Sequence, residues 1–220
     1  MTGSEIRELF ERIGRLVATA EQKSGDGTAL EYTFPDGETH RYVIRGLKSH
    51  AEIEDTAYNL LIWIWNAKDY LKRRAVILGK DGRSLEKAVN IDVHLPLCAD
   101  LANRLKHGEL RQSRSGHHPR LGKISFAAPQ ASLGSLTFRA FEVELQMANP
   151  SLVRFYLPVF DHAGEQIGDA FDYAAGGVAA LERLRGEIEA RPNNKLERTR
   201  EAGVAASLGG RGWRTAQIGR

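Results

Sequence analysis

Between Ser49 and Arg74 the chain carries a stretch that leaves few architectures open. Ser49-His50-Ala51-Glu52 matches a capping box, in which the Ser hydroxyl accepts from an early backbone N–H and Glu52 reaches back to the cap. Ile53, Ala57, Leu60, Leu61, Ile64 and Leu71 then recur at helical spacing, while Tyr58, Ile62, Trp63 and Trp65 make the remaining sides apolar too. A helix that is apolar nearly all round has to be surrounded, so the pattern predicts a central, buried helix on which other elements pack. Lys72-Arg73-Arg74 stands near its carboxyl end, where cations suit the helix dipole. Its aromatics, Tyr58, Trp63, Trp65 and Tyr70, have two readings: core packing, or the walls of a ligand pocket.

The flanking segments supply neighbours for that helix. Ile6, Leu9, Phe10, Ile13, Leu16, Val17 and Ala20 place one apolar stripe on a helix over about residues 4–22. A β-hairpin follows, with Leu30, Tyr32 and Phe34 sharing one face of its first strand and Tyr42 and Ile44 one face of its second. Its turn is Pro35-Asp36-Gly37-Glu38, where Pro presets φ and Gly accepts positive φ. Residues 79–83 read as a loop. A further helix runs from Leu95 to His107, with Pro96 in its first turn and Gly108 just past its end.

Residues 109–120 are polar and basic and read as a mobile loop. Beyond them the pattern changes to strands: a short one at 123–127, a long one at 136–147, and two more at 153–160 and 165–171. The long strand changes its apolar parity midway, as a β-bulge does. A last helix spans 174–190, with Gly176-Gly177 read as a flexible junction near its start. The order helix, hairpin, two helices, strand meander, helix predicts an α+β fold with helices packed on antiparallel sheet. One domain over residues 1–190 is expected, with a helical half at 1–110 and a strand-rich half at 121–190, because either half alone is small for a core.

Charge sharpens this reading. The 220-residue chain has a formal charge of +3. Residues 191–220 hold seven cations against two acids, a net +5, and residues 104–123 hold six cations against one, again +5. The remainder is therefore acidic, at −7. Past Arg191 the chain has too little apolar surface to offset ordering entropy, so a disordered basic tail is expected over 191–220. No apolar run is long enough for a bilayer, no secretory leader is visible, and the single Cys98 forms no internal disulfide, so a cytoplasmic protein is expected. The tail segment Pro192-Asn193-Asn194-Lys195-Leu196-Glu197-Arg198-Thr199 resembles the carboxyl ends of proteins encoded in mobile integron gene cassettes, where the reading frame runs into the recombination site. That resemblance covers about the last 30 residues. It implies a bacterial, mobile, accessory gene, of a kind that often carries adaptive cargo (resistance, toxin–antitoxin, phage defence) or nothing recognisable, and it is silent on the chemistry of the body.

One polar cluster stands out. Asp100, Asn103, Arg104 and His107 fall within about a third of a helix circumference, opposite the apolar side. A carboxylate, an amide, a guanidinium and an imidazole on one face suit acid–base work on a phosphodiester, with His107 moving protons and Arg104 stabilising negative charge. Residues 49–110 loosely resemble the helical Arg…His motif of the HEPN ribonucleases, a family of toxins and defence effectors that cut RNA as dimers. In this chain two residues separate Arg104 from His107, where that family has four to six, and the strands beyond 123 are foreign to it. The alternative is a solvated helix face whose His caps the helix end.

Arg111, Arg114, His117, His118 and Arg120 are candidate binding residues. Together with Arg104, Lys106 and Lys123 they form a basic segment, residues 104–123, able to grip nucleic acid or an acidic protein, although it lacks the interleaved aromatics of single-strand binders. His117-His118 with His94, Cys98 or Asp100 invites a metal reading. The paired ligand spacing of zinc sites is absent, so no metal and no cofactor is expected. A second copy of the chain is a further candidate partner; a membrane is not. The function that this reading favours is an accessory protein without an established catalytic motif. A metal-independent ribonuclease and a binding module are the alternatives.

Overall fold

A computed structural model describes residues 2–190; the tail expected over 191–220 lies outside them. The fold is α+β. Helix α1 (Gly3–Glu21) lays Ile6, Leu9, Phe10 and Ile13 against α2 (His50–Ile77), whose Leu60, Leu61, Ile64 and Leu71 are fully buried. The capping box on α2 is formed: the Glu52 N–H donates to Ser49 Oγ at 3.3 Å and the Ser49 N–H to the Glu52 carboxylate at 2.8 Å. Thr2 and Glu5 form a second such box on α1, a start signal that the sequence reading passed over.

The stretch read as a loop at 79–83 leads into α3 (Gly82–Ile91), which sequence reading missed. Asp81 caps it by accepting from the Arg83 and Ser84 N–H groups at 2.9 and 3.2 Å. Of its ten residues only Leu85 and Val89 among the large apolar side chains are buried, so its stripe is a single i, i+4 pair and periodicity gives little signal. Helix α4 (Leu95–His107) has the expected bounds, and Gly108 ends it at φ +76° with its N–H on the Arg104 carbonyl. Ahead of it, Asp92 accepts from the His94 and Leu95 N–H groups and from Arg183. Burial works against the Asp92 charge, but these donors outweigh it and hold the carboxyl below its ordinary range.

Four strands, β1 (Thr28–Thr33), β2 (Thr39–Arg45), β5 (Leu133–Arg139) and β6 (Glu142–Met147), form a sheet in the order β1-β2-β6-β5. The sheet is mixed, not purely antiparallel: β2 and β6 run parallel, and the crossover between them contains α2, α3 and α4. The segment expected to be one bulged strand at 136–147 is the β5–β6 hairpin, with Arg139 opposite Glu142 across Ala140-Phe141. In a two-residue hairpin, residues i and i+3 share a face. The parity change read as a bulge is therefore the turn itself.

The remaining strands are short. Strand β3 (Arg120–Leu121) pairs with β8 (Pro158–Phe160), which pairs with β9 (Gln166–Asp169), while β4 (Ser125–Ala127) pairs with β7 (Arg154–Tyr156). The strand expected at 153–160 thus divides at Leu157, whose N–H donates to the Asp169 carboxylate at 2.7 Å. Burial raises the Asp169 carboxyl above its ordinary range. Helix α5 (Ala170–Glu189) begins four residues earlier than expected and contains Gly176-Gly177, which is therefore no junction. A Cβ on Gly177 would come within 3.1 Å of Cys98 Sγ and Ile64 Cγ2. The missing side chain is what allows α5 to lie so close to α4 and α2.

The larger core cluster joins the five helices with Leu157 and Val159. A smaller one, Leu47, Ile53, Met147, Val153 and Phe155, receives Ile44 and Leu145 from one end of the four-stranded sheet. Among the described residues no helix is long and apolar enough to cross a membrane.

Candidate functional site

The polar cluster on α4 does not converge. Asp100 is fully buried, a correction to its expected place opposite the apolar side. Its carboxylate accepts from Ser113 Oγ (2.6 Å), the Arg114 N–H (2.8 Å), the Ser115 N–H (2.9 Å) and Ser115 Oγ (2.7 Å). The two hydroxyls in turn accept from the His118 and His117 N–H groups, each at 3.2 Å. One carboxylate thereby fixes the segment expected to be a mobile loop. All four of these hydrogen bonds come from residues 113–115 and none from Asn103, Arg104 or His107.

Asn103 and His107 line a shallow cleft of about 560 Å³ with Arg111, a residue from the basic segment. Arg104 lies apart from it, and its Nε is buried without a hydrogen-bond partner in the structure. Asp69 belongs to a different cleft, of about 910 Å³, between α1 and α2. Glu5, Glu8, Arg12, Trp63 and Tyr70 also line that one, and Arg12 lies over the Trp63 ring at 4.5 Å. All four aromatics of α2 serve the core, Trp65 within it and Tyr58, Trp63 and Tyr70 packed against it, and Trp63 and Tyr70 line this cleft as well.

The basic segment is likewise divided. Arg114 is held along the surface of the fold, bonded to Asn90 Oδ1 at 3.0 Å, 3.6 Å from Glu86 and 4.8 Å from the Trp65 ring. Glu86 also pairs with Lys68 and Lys72, at 3.6 and 3.1 Å. Burial opposes its charge, and these cations outweigh that and hold its carboxyl below the ordinary range. Lys106 donates to Asn66 at 2.8 Å. Arg111 stands out in solvent beside Glu109, His117 is exposed, and Arg120 is an exposed residue of β3. His118 is half-buried with φ +49°, and Pro119 beside it is buried.

No group of three His, Cys, Asp or Glu side chains among the described residues is placed to hold a metal ion. Cys98 donates to the Tyr173 carbonyl at 3.3 Å, and burial pushes its thiol up to about 12. A thiol so far from ionising is a core group, not a nucleophile or ligand.

The surface that sequence reading did not single out is the four-stranded sheet. Its register puts Glu31, Arg41, Arg45, Glu142, Glu144 and Arg139 on one face. There Arg41 pairs with Glu31 and Glu142, Arg45 with Glu144, and Arg139 with both Glu142 and Glu144. The Arg45 hydrogen bond holds the Glu144 carboxyl below its ordinary range. The opposite face carries Leu30, Tyr32 and Phe34, then His40, Tyr42 and Ile44, then Val143 and Leu145, then Leu136 and Phe138. Ile44 and Leu145 are drawn into the smaller core. Leu30, Tyr32, Phe34, Tyr42, Leu136 and Phe138 are exposed. The strand alternation was legible in the sequence; that no helix among the described residues covers this side was not, because coverage is a tertiary fact.

Compared with models of protein families, with curated proteins and with solved structures, the chain has no match.

Proposed function

We propose that the chain is a non-catalytic accessory protein that works by binding protein through the apolar face of its four-stranded sheet. The observation that carries the reading is that face: five large apolar side chains lie exposed on paired strands and a sixth, Phe34, just past β1, while the reverse side is closed by its own ion pairs. Contiguous apolar surface rimmed by polar residues marks interaction sites, whereas scattered exposed hydrophobes do not. The occupation of Asp100 by the 113–115 loop supports a non-catalytic role. The cassette-like segment 192–199 supports a mobile, accessory origin, with phage or stress defence as one such cargo. The buried single Cys98 suits a reducing cytoplasm.

The test is a double substitution, Tyr32→Glu with Phe138→Glu, in the full chain expressed in cells. The complex in which the wild type migrates in a native extract is expected to be lost, with helix content unchanged. Retention of the complex would refute the reading.

A second reading rests on the α4 cleft, where His107, Asn103 and Arg111 meet. A ribonuclease there would use His107 and Arg111 in place of Asp100 and Arg104. RNA cleavage lost on His107→Ala, with the fold intact, is its signature; no cleavage by the wild type removes it.

A further inference from the structure

The exposed face has properties that select its occupant. Its centre carries no Asp, Glu, Lys or Arg: the polar positions are Thr28 (opposite Ile44), His40, and Glu38 at the hairpin end, opposite Phe34 and 3.5 Å from His40 Nε2. A surface whose only fixed charge stands at its edge meets little like-charge repulsion when its centre faces itself, which is the condition a two-fold, isologous contact imposes. The rings are also organised before any partner arrives. Tyr32 meets Phe34 edge to face at 4.7 Å, Phe34 meets His40 at 4.9 Å, and His40 meets Phe141 of the hairpin turn at 5.8 Å. Aromatics locked in this way lose little rotamer freedom on association.

Size and composition point the same way. Phe138 is 71% exposed, Tyr32 56%, Leu136 and Phe141 54%, Leu30 49% and Tyr42 40%. With about 150–250 Å² per aromatic side chain, these fractions leave on the order of 600 Å² of largely apolar surface, about three-quarters of the ~800 Å² per partner of a stable interface. Homodimer interfaces are more apolar than transient ones, which mix in charged groups. A transient partner recognised by charge would instead engage the reverse face, where the Arg and Glu side chains already satisfy one another.

We propose that this face is the interface of a two-fold homodimer, in which the sheet of a second copy packs face to face on the sheet of the first. The proposal rests on the reading that the protein acts by association, and it names the partner. Two sheets so packed lie about 10 Å apart with their inner side chains interdigitated. Tyr32, Tyr42 and Phe138 are then the central anchors, and the pairing of ion pairs on the outer faces leaves each copy finished towards solvent.

Sedimentation of the purified full chain at micromolar concentration decides it. The wild type is expected at twice its 24.4 kDa mass, and the Tyr32→Glu, Phe138→Glu variant at the single mass, with dissociation at least about thirtyfold easier. A conservative pair, Tyr32→Phe with Phe138→Leu, is expected to remain dimeric, which separates lost packing from lost folding. A wild-type dimer that the Glu pair leaves intact would place the contact elsewhere and overturn the proposal. A wild-type monomer overturns it as well. If the complex in cell extract still depends on Phe138, the association reading survives with another occupant, such as residues 191–220 or a different protein. If no complex is present there either, both readings fall.

Discussion

The α4 neighbourhood and the four-stranded sheet solve the same physical problem in opposite ways. Around α4, a buried carboxylate is satisfied within the chain: Asp100 takes four hydrogen bonds from residues 13 to 15 positions further on. In the sheet, one face closes its charges among themselves and the other leaves its apolar side chains in water. A buried polar group without partners costs far more than an exposed hydrophobe, so a fold must finish the first kind of site internally and is free to leave the second for a partner. The contrast teaches where to look for function in this molecule. Asp100 of the polar cluster is held by its own chain, whereas the plain alternation of a hairpin leaves apolar side chains exposed.

The largest effect is expected at the finished site. Asp100→Ala strands two part-buried N–H groups and two hydroxyls and leaves a gap where a fully buried carboxylate stood, a loss of about 3 kcal/mol. For a chain of this size that lowers Tm by roughly 6–12 °C. Hydrogen exchange should show the amides of Arg114 and Ser115 losing protection before those of α2. If exchange there is unchanged, the loop is held by something other than Asp100, and the contrast between the regions weakens.

A smaller effect is expected at Glu86, which ties Arg114 of the same loop to Lys68 and Lys72 of α2. Its carboxyl is lowered in the folded protein, so the folded state binds the proton more weakly than the unfolded chain does. The stability it contributes is present above the ordinary carboxylate range and is lost as pH falls through the lowered folded value. Glu86→Gln should therefore cost about 1 kcal/mol near neutral pH. Denaturant titrations should show wild type and variant converging below about pH 4. A gap that persists undiminished in acid would mean that packing, not charge, is what Glu86 supplies.

Much of the fold was legible in the sequence, because its signals are local. Helix α2 announced itself by the Ser49–Glu52 box and its encircling apolar residues, and α4 by Pro96 and Gly108. Helix α3 escaped because Leu85 and Val89 are too few to make a stripe. The β5–β6 hairpin escaped because a two-residue turn and a bulge produce the same parity change, and no Gly or Pro marks Ala140-Phe141. The site was legible only in parts. Asp100 sits at helical spacing from Asn103, Arg104 and His107, and that spacing says nothing of Ser113 and Ser115, which claim it across a loop. A Ser-x-Ser pair in the loop after such a helix was the available hint. The aromatic face was half visible: the alternation of Leu30, Tyr32 and Phe34 was read, but that it stays uncovered depends on where every helix packs.

The account stands on the claim that the sheet's apolar face is completed by a second copy. Thermal unfolding of the full chain across a hundredfold range of concentration tests this directly, because association that stabilises only the folded state makes Tm depend on concentration. The account predicts a Tm that rises with concentration for the wild type and stays flat for the Tyr32→Glu, Phe138→Glu variant. A wild-type Tm that does not move over that range would contradict it.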